Sequence, residues 1–457
     1  MILNLWYYMS MKLRIFNTLS NELEEFKPLK PNKASLYVCG PTVYNDAHIG
    51  NFRPIIVFSL LKNLLKYLGY DVTLVSNYTD IDDRIINKAR LEKVSESVIS
   101  ERYIDAYEKV LNDMNIQRPD IQPKVSNYIP QIIDYIEKIV VNGAGYAVDG
   151  DVYFRVAFDP CYGCLSKMKL DENEAGARIE VQTHKENPAD FAIWKSTTEG
   201  LRWESPWSIG RPGWHTECSV MIDSIFDDGI VDIHGGGFDL KFPHHENEIA
   251  QSYAVNHHRL ANYWVHNGFI NVDGEKMSKS IGNVLLGKDA VKLYGGEIVK
   301  FTILNTHYRA PINLTDETFA TAKTEVEKIT KTLNSLSVKI QLLGGKLSNK
   351  TTLTDIQSFV EELCDDLNVS NALTILYKLL KEANQLLRNP NVKKEELLNH
   401  YGAISIALEI LGLSSNTVKL SDDDKNLCFA YEAARRDKDF AKSDELRSKL
   451  VARNILI

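Results

Sequence analysis

Four side chains in this sequence carry the atoms that soft divalent metal ions prefer: two thiols, an imidazole and a carboxylate. They belong to Cys39, Cys218, His244 and Glu248. Because His244 and Glu248 are four residues apart, they would project from the same face of a helix. A mixed set of sulfur, nitrogen and oxygen ligands is typical of zinc. Cysteines are also common as small buried hydrophobic residues, so the spacing alone leaves zinc binding and core packing equally open.

A second chemical feature is a pair of short motifs, HIGN at residues 48–51 and KMSKS at residues 276–280. Before the first motif, the apolar run 35–39 predicts a buried strand. After it, the apolar periodicity of 52–68 predicts a helix, and residues 72–75 predict another strand. This strand, helix, strand unit places His48 and Gly50 at a helix N-terminus, where backbone N–H groups and the helix dipole favour a phosphate.

The second motif follows the turn signal Asp273-Gly274, which predicts an exposed loop. Such a loop could bring Lys279 against a polyphosphate, where its charge would stabilise negative charge that develops during a reaction. Taken singly, each motif is a weak signal. A histidine at a strand end is usually structural, and a lysine-rich loop is usually just solvated.

Five longer segments, together with the two motifs, resemble the cysteinyl-tRNA synthetases, a family of class I aminoacyl-tRNA synthetases. Similarity extends from about Met11 to Arg453, and the segments occupy 37–44, 79–86, 210–219, 232–237 and 242–250. Several independent blocks in the same order are far more specific than any single pattern. The resemblance implies a Rossmann-like α/β fold, with ATP, L-cysteine and tRNA(Cys) as the substrates.

The resemblance also implies one zinc ion per chain. In the family the zinc ligands match Cys39, Cys218, His244 and Glu248, and the thiolate of the substrate cysteine is a further ligand. An apolar pocket separates near-isosteres by only about 1–3 kcal/mol, which is too little to reject serine. A soft thiolate, which binds zinc at about 2.3 Å, is much preferred over an alcohol. Selection at this step needs no editing domain, and the segment 126–209 is short for one.

The implied reaction has two steps. The cysteine carboxylate attacks the α-phosphate of ATP, which is accompanied by Mg²⁺, and the terminal ribose of the tRNA then receives the cysteinyl group. The residues that match the family's catalytic positions are His48, Gly50, Asn51, Lys276 and Lys279. The ATP-binding positions add Gly235, Gly236, Gly237 and Asp239, and those of the cysteine pocket match Cys39, Thr79, Trp214 and His234. Glycines suit the close approach of backbone to nucleotide.

The first motif departs from the superfamily pattern at its last position, where Asn51 replaces the usual histidine. Asparagine can donate a hydrogen bond to a phosphate but carries no positive charge. We expect weaker electrostatic help but unchanged geometry, and therefore an active enzyme.

Composition agrees with this interpretation without having suggested it. The chain has 457 residues, of which 44% are hydrophobic, and a formal net charge of -8. An acidic chain predicts that tRNA is bound through local basic patches, such as 435–453, rather than by overall charge. Six scattered cysteines predict a reducing cytoplasm, and the pair Cys161 and Cys164 is interpreted as structural or incidental. Residues 1–10 resemble neither a signal peptide nor a membrane span, and we expect a monomer.

The chain is expected to divide into a catalytic α/β domain with an insertion, an α-helical bundle and a small C-terminal module. Helical periodicity covers 315–339, 353–387 and 395–411. The expected boundaries are 11–125 and 210–270 for the two halves of the Rossmann-like domain, 126–209 for the insertion, 271–314 for the KMSKS loop and stem-contact region, 315–413 for the bundle and 414–457 for the anticodon-end module.

Two other functions remain open. A ligase that joins cysteine to an amino sugar would share nearly all of the catalytic residues, although its relatives lack an anticodon-reading end. A non-catalytic paralogue that binds tRNA or cysteine would be expected to have lost Lys279, His48 or the metal ligands, and all of these are present.

Overall fold

The structure is a computed structural model that describes residues 11–168, 185–277, 283–453 and 455. The chain forms two compact units. The first extends to Leu293 and includes Tyr308–Leu314, and the second comprises Tyr294–His307 and the described residues from Thr315 onward. Within the described ranges, no helix is both long and apolar enough to cross a membrane.

The described residues of the first unit form fourteen strands. In chain order they are β1 (Arg14–Asn17), β2 (Glu22–Glu25), β3 (Lys33–Val38), β4 (Asp71–Ser76), β5 (Gly145–Val148), β6 (Asp151–Phe154), β7 (Phe191–Ser196), β8 (Trp203–Glu204), β9 (Ile209–Pro212), β10 (Val231–Gly237), β11 (Ala261–Asn267), β12 (Ile270–Val272), β13 (Glu275–Lys276) and β14 (Ile312–Leu314).

The helices of the described residues divide between the two units at Leu293. Those up to that boundary are α1 (Arg53–Tyr67), α2 (Asp83–Glu92), α3 (Glu96–Asp113), α4 (Ile129–Val141), α5 (Glu217–Ile225), α6 (Glu246–Asn256) and α7 (Gly287–Tyr294). Those after it are α8 (Gly296–Leu304), α9 (Asp316–Leu342), α10 (Asp355–Cys364), α11 (Val369–Arg388), α12 (Lys394–Leu411), α13 (Asp422–Arg436) and α14 (Phe440–Ala452).

The centre of the first unit is a four-stranded sheet in the order β11-β10-β3-β4, and all its pairings are parallel. Every residue of β10 except Gly237 is buried, including the polar Asp232 and His234, as expected for a parallel strand covered on both faces. The predicted α/β class is therefore confirmed. Because the strands are parallel, their carboxyl ends meet at one edge of the sheet, and this edge carries the candidate site.

Helix α1 shows how the sequence builds the unit. Pro54 occupies its first turn, where a missing N–H costs nothing, and its leucines and isoleucines pack into the core. Gly69, with φ of 95°, follows the helix end and lets the chain turn into β4. The observed bounds of α1 and β4 lie within one residue of those predicted from periodicity.

Three further sheets lie in the described part of the first unit, and the smallest is the antiparallel pair β1-β2. Strands β5 to β9 form a five-stranded antiparallel sheet in the order β5-β6-β7-β9-β8, so this part of the chain interrupts the parallel sheet between β4 and β10. A smaller sheet, β13-β12-β14, follows β11 and leads into the second motif.

The second unit is helical, as predicted, but one expected helix is divided. The periodic stretch 353–387 forms α10 and α11 rather than a continuous helix. Asp366 and Leu367 between them have φ of 60° and 54°, and the Asn368 side chain accepts a hydrogen bond from the backbone N–H of Asn371. The break escaped prediction because both helices pack against each other and keep the same apolar period.

Arg53 is the largest buried charged residue of the described core. Its guanidinium donates hydrogen bonds to the carbonyl oxygens of Gly268 at 2.7 Å, Phe269 at 3.0 Å and Ala310 at 2.7 Å. Burial lowers the pKa of Arg53 to about 10, so the side chain is still charged at neutral pH. It thereby joins the start of α1 to the segment that connects β11 to β12.

We predict that Arg53→Met destabilises the protein by about 3 kcal/mol or more, because it leaves several buried carbonyl groups without their donor. Arg53→Lys should recover only part of this loss, since an ammonium cannot reproduce the planar fork of donors. Denaturant-induced unfolding measures the free energy of unfolding of both variants. The control is Arg102→Met, which removes an exposed ion pair with Glu92 and should cost less than about 1 kcal/mol. If the Arg53→Met and Arg102→Met variants were equally stable, the hydrogen bonds of Arg53 would not stabilise the fold as proposed.

Candidate active site and metal centre

A cavity of about 510 Å³ opens at the carboxyl edge of the parallel sheet. Its walls come from the segments that follow β3, β10 and β11, as expected for a ligand site in an open α/β sheet. Of the residues predicted from the sequence, those that line it are Cys39, His48, Gly50, Asn51, Trp214, Gly237 and Asp239.

Of the four predicted metal ligands, Cys39 lines this cavity, and the donor atoms of all four lie within 4.8 Å of one another. The Sγ atoms of Cys39 and Cys218 are 3.6 Å apart, and Cys218 Sγ is 3.7 Å from His244 Nε2. Two thiolates on a tetrahedral zinc ion, each at about 2.3 Å, would be separated by about 3.7 Å. The spacing of the sulfur and nitrogen atoms therefore fits such an ion.

Three elements bring these ligands together. Cys39 directly follows β3, Cys218 lies in the first turn of α5, and Glu248 lies in the first turn of α6. His244 differs from expectation, because it lies in the turn Lys241–His245 that precedes α6 rather than on the helix itself. The four-residue spacing still suffices, since His244 Nε2 is 2.8 Å from Glu248 Oε1.

The charge of the cluster is already suited to a cation. The hydrogen bond from Cys39 lowers the pKa of the Cys218 thiol to about 6, while burial raises the pKa of Cys39 well above its usual range. Burial acts to lower the pKa of His244, but the charges and hydrogen bonds of Glu248 and Cys218 together outweigh it and raise that pKa to about 10. The cluster therefore holds thiolate and carboxylate beside a proton on His244, which a metal ion would replace.

Three further histidines, His245 and His266 buried and His215 partly buried, pack near these ligands, and the sequence analysis gave none of them a role. His215 Nδ1 is 3.1 Å from His244 Nδ1, and His245 contacts Cys39 Sγ at 3.3 Å and His266 Nε2 at 2.8 Å. Burial lowers the pKa of His215 and of His266 to about 3, so both rings are neutral. Recurrent histidines within the blocks at 210–219 and 242–250 were the available signal.

His245 also belongs to an alternative ligand set. Cys39, His234, His245 and Glu248 likewise place one donor atom each within 4.8 Å of one another. The predicted set has two sulfur ligands, whereas this one has a single sulfur. Because zinc favours thiolate ligands, the predicted set is the better zinc site.

The residues predicted to form a cysteine pocket are placed differently from one another. Trp214 is 39% exposed, lines the cavity and stacks on His244 with 4.4 Å between ring centroids. His234 and Thr79 are buried behind the metal cluster. His234 Nε2 lies 2.6 Å from Glu248 Oε2, and the Thr79 hydroxyl donates to Glu217 at 2.8 Å. In this structure the two buried side chains hold other site residues rather than line the cavity.

The first motif also lines the cavity, and two hydrogen bonds between its first and last residues close its turn. The Asn51 N–H donates to the His48 carbonyl oxygen at 2.9 Å, and the Asn51 side chain accepts from the His48 N–H at 3.0 Å. A Cβ atom at Gly50 would come within 3.0 Å of the His48 ring and 3.2 Å of Met277. A side chain at position 50 would crowd both neighbours, which favours glycine there. Asn51 has a structural role of its own, because its side chain closes the turn by accepting a hydrogen bond from the His48 N–H.

Met277 of the second motif lies close to the first motif, because it lines the cavity next to Gly50. Beyond the second motif in the chain, Leu285 accepts a hydrogen bond from the Ile49 N–H at 2.9 Å. Lys276 ends β13, but its side chain and the whole of Lys279 lie outside the described residues.

The three glycines at the end of β10 do not share one task. A Cβ at Gly235 would come within 1.9 Å of the Val265 carbonyl oxygen, so glycine there serves the packing of β10 against β11. A Cβ at Gly236 would come within 2.8 Å of the Leu240 side chain. Gly237 and Asp239 line the cavity, and only these two lie where a nucleotide could touch them.

Comparison with known proteins agrees with this geometry. Residues 25–324 match the family model of the tRNA synthetases class I (C) catalytic domain, and residues 358–415 match the DALR domain. Among solved structures, methionyl-tRNA synthetase of Mycobacterium tuberculosis in complex with methionyl-adenylate is similar in fold. It has a TM-score of 0.59 and 15% identity, over 83% of this chain and 89% of that one.

Similarity in sequence is much closer to two cysteine–tRNA ligases. The enzyme of Brevibacillus brevis is 42% identical over 98% of this chain and 97% of its own. That of Geobacillus thermodenitrificans is 42% identical over 97% of each chain. Identity at this level over nearly the whole length joins the catalytic unit and the helical unit to the same relatives. The chain therefore belongs to the cysteine–tRNA ligase family of class I aminoacyl-tRNA synthetases.

Proposed function

We propose that this protein uses ATP to activate L-cysteine and then transfers the cysteinyl group to tRNA(Cys). The observation that carries the proposal is that the first signature motif and Cys39, a member of the sulfur-rich candidate metal cluster, line the same cavity. An amino acid whose thiol lies at the cluster would direct its carboxylate toward the motif. Holding both reactants in this way is a large part of what an enzyme contributes to such a reaction.

We propose zinc as the metal, held by Cys39, Cys218, His244 and Glu248. Zinc, when bound there, supplies a soft Lewis acid to which the substrate thiolate can bind directly. The protein's part is to orient the ligands. The hydrogen bond of His234 to Glu248 and the stacking of Trp214 on His244 support two ligands from outside. Trp214 also forms the cavity wall next to the position that the substrate would occupy.

We assign the triphosphate of ATP, with Mg²⁺, to His48, Gly50 and Asn51 of the first motif. Helix starts favour phosphate, and these three residues lie at the short turn before α1. Lys276 and Lys279 would stabilise the leaving pyrophosphate. Gly235, Gly236, Gly237 and Asp239 complete the proposed nucleotide site, in which Gly235 and Gly236 act through packing alone.

The helical unit is assigned to the tRNA. Its match to the DALR domain supports a tRNA acceptor over the amino-sugar acceptor that the sequence left open, because the latter needs no such domain. We further propose that the enzyme acts as a monomer in the cytoplasm, and light scattering of the purified chain tests the first of these statements.

The decisive test is transfer of labelled cysteine to total tRNA with ATP and Mg²⁺, with serine as competitor. We expect charging that a large excess of serine does not inhibit. Pyrophosphate exchange that depends on cysteine but is not followed by tRNA charging would retain the adenylate site and reject the acceptor. If cysteine supported neither step, the proposed function would be wrong.

Zinc binding has its own test in Cys218→Ser. We predict loss of the bound metal and a fall in cysteine activation on the order of 100-fold, since even residues behind the ligands change metal affinity by 10–100-fold. Preference for cysteine over serine should decline toward the roughly 10–200-fold that an apolar pocket can give. Metal analysis and pyrophosphate exchange measure the two effects. Cys428→Ser, at a buried cysteine of α13, is the matched control and should retain both metal and activity.

Asn51 provides a further test at the phosphate end. Because its side chain closes the turn on the His48 N–H, Asn51→Ala should raise the KM for ATP on the order of tenfold through the loss of one positioning hydrogen bond. Asn51→Asp keeps the acceptor oxygen but adds a negative charge, and should therefore restore the fold of the turn but not ATP binding. An unchanged KM in both variants would show that this side chain does not serve the nucleotide.

A further inference from the structure

Cys161 and Cys164 form a disulfide in a short turn after β6, although the sequence suggested a structural or incidental pair. Cys161 is exposed to solvent, whereas Cys164 is partly buried against the core cluster that includes Cys218. The four other cysteines, Cys39, Cys218, Cys364 and Cys428, are free thiols. Cys161 is thus the exposed cysteine of the chain, whereas Cys39 is partly exposed in the cavity and the other three free cysteines are buried.

The turn that this disulfide closes lies directly on the start of α6. The backbone N–H groups of Leu165 and Ser166 donate to the Glu246 carboxylate at 3.2 and 2.7 Å. The Tyr162 hydroxyl donates to the Asn247 side chain. Glu246 and Asn247 are each only 1% exposed, so the turn supplies partners to two side chains that water does not reach.

These two residues stand between metal ligands in the chain, since His244 precedes them and Glu248 follows. A buried carboxylate that loses its hydrogen-bond donors is destabilised and must move toward other polar partners. Movement of Glu246 would shift the first turn of α6 and, with it, the directions of the His244 and Glu248 side chains. Partners behind metal ligands commonly change metal affinity in this way.

We propose that Cys161 and Cys164 are a reversible redox clasp that, when closed, slows the release of metal from the neighbouring site. The clasp denotes the disulfide and the turn 161–166. Closing the bond restricts the turn, so that the Leu165 and Ser166 N–H groups stay on Glu246. The inference rests on the proposed zinc site and adds a control on how firmly the metal is held.

The cysteine and cystine couple is the chemical class that would operate the clasp. One cysteine thiolate attacks Cys161 Sγ, which forms a mixed disulfide and releases Cys164 as a thiolate. A second cysteine thiolate attacks the mixed disulfide, which yields cystine and frees Cys161. The two protons of the two cysteine thiols end on Cys161 and Cys164, so the exchange is balanced and runs backward when cystine prevails.

This direction gives the clasp a protective sense. When cystine accumulates, the exposed pair closes and the metal is retained. Retained metal keeps Cys39 and Cys218, whose Sγ atoms are 3.6 Å apart, from being oxidised to each other. An enzyme that selects its substrate by a thiolate would in this way keep its own thiolates reduced while reduced substrate is scarce.

The test uses the full-length chain loaded with zinc and equilibrated in buffers of fixed cysteine to cystine ratio. Alkylation and mass spectrometry report the state of each cysteine, and transfer of zinc to a coloured chelator reports its release without any turnover. We expect release on the order of tenfold slower when the pair is closed. The double variant Cys161→Ser/Cys164→Ser should release zinc at the fast rate at every ratio, and Cys364→Ser/Cys428→Ser should behave as the unmodified chain.

Glu246→Gln tests the route of the effect. It leaves both cysteines able to pair but weakens the hydrogen bonds from Leu165 and Ser166, so closing the disulfide should no longer slow release. A pair that stays open at the highest cystine content, or zinc release that is equal in the open and closed states, would overturn the clasp while zinc binding stands. A chain that binds no zinc at any ratio would overturn the zinc proposal and the clasp together.

Discussion

The organisation of the catalytic unit depends on a buried carboxylate. Glu248 is completely shielded from water, and its two oxygens lie 2.8 Å from His244 Nε2 and 2.6 Å from His234 Nε2. Burial alone would raise its pKa, but the two imidazoles hold that pKa well below its usual range, so the group is charged. A buried charge is stable only where partners surround it. The sheet edge, the start of α6 and the neighbouring histidines together provide that surrounding.

The buried charge of Glu248 organises the residues around the candidate metal site, and the buried charge of Arg53 organises those next to the first motif. Its buried guanidinium joins the beginning of α1 to the segment between β11 and β12 through backbone carbonyl oxygens. The first motif immediately precedes Arg53, and the second lies just beyond β12 and β13. A single charged side chain thus relates two signature segments that are more than two hundred residues apart in sequence. In both places a buried charge is matched by dipoles or by ionic partners rather than by solvent.

The same logic extends to α6. Its first turn carries Glu246, Asn247 and Glu248 in succession, and all three side chains are buried. Helix starts normally leave backbone N–H groups and acidic side chains to water. Here the turn 161–166 covers this helix start and supplies its donors. The candidate metal ligands are consequently supported by the turn 161–166, which lies next to the antiparallel sheet, as well as by the parallel sheet.

The sequence by itself determined the family and the α/β class, because apolar periodicity and ordered motifs are local signals. Strand β4 and helix α1 were predicted to within one residue at each end and β3 to within two, and the four candidate metal ligands were named before their contacts were known. Tertiary structure alone decided which side chains reach the cavity. His234 and Thr79 are turned behind the cluster, Gly235 serves strand packing, and His245 and His266 join the site, because these outcomes depend on contacts between distant segments. Spacing along the chain also could not reveal the break at Asp366, where local backbone geometry interrupts an unchanged apolar period, or that the Cys161–Cys164 turn rests on the helix that carries a metal ligand.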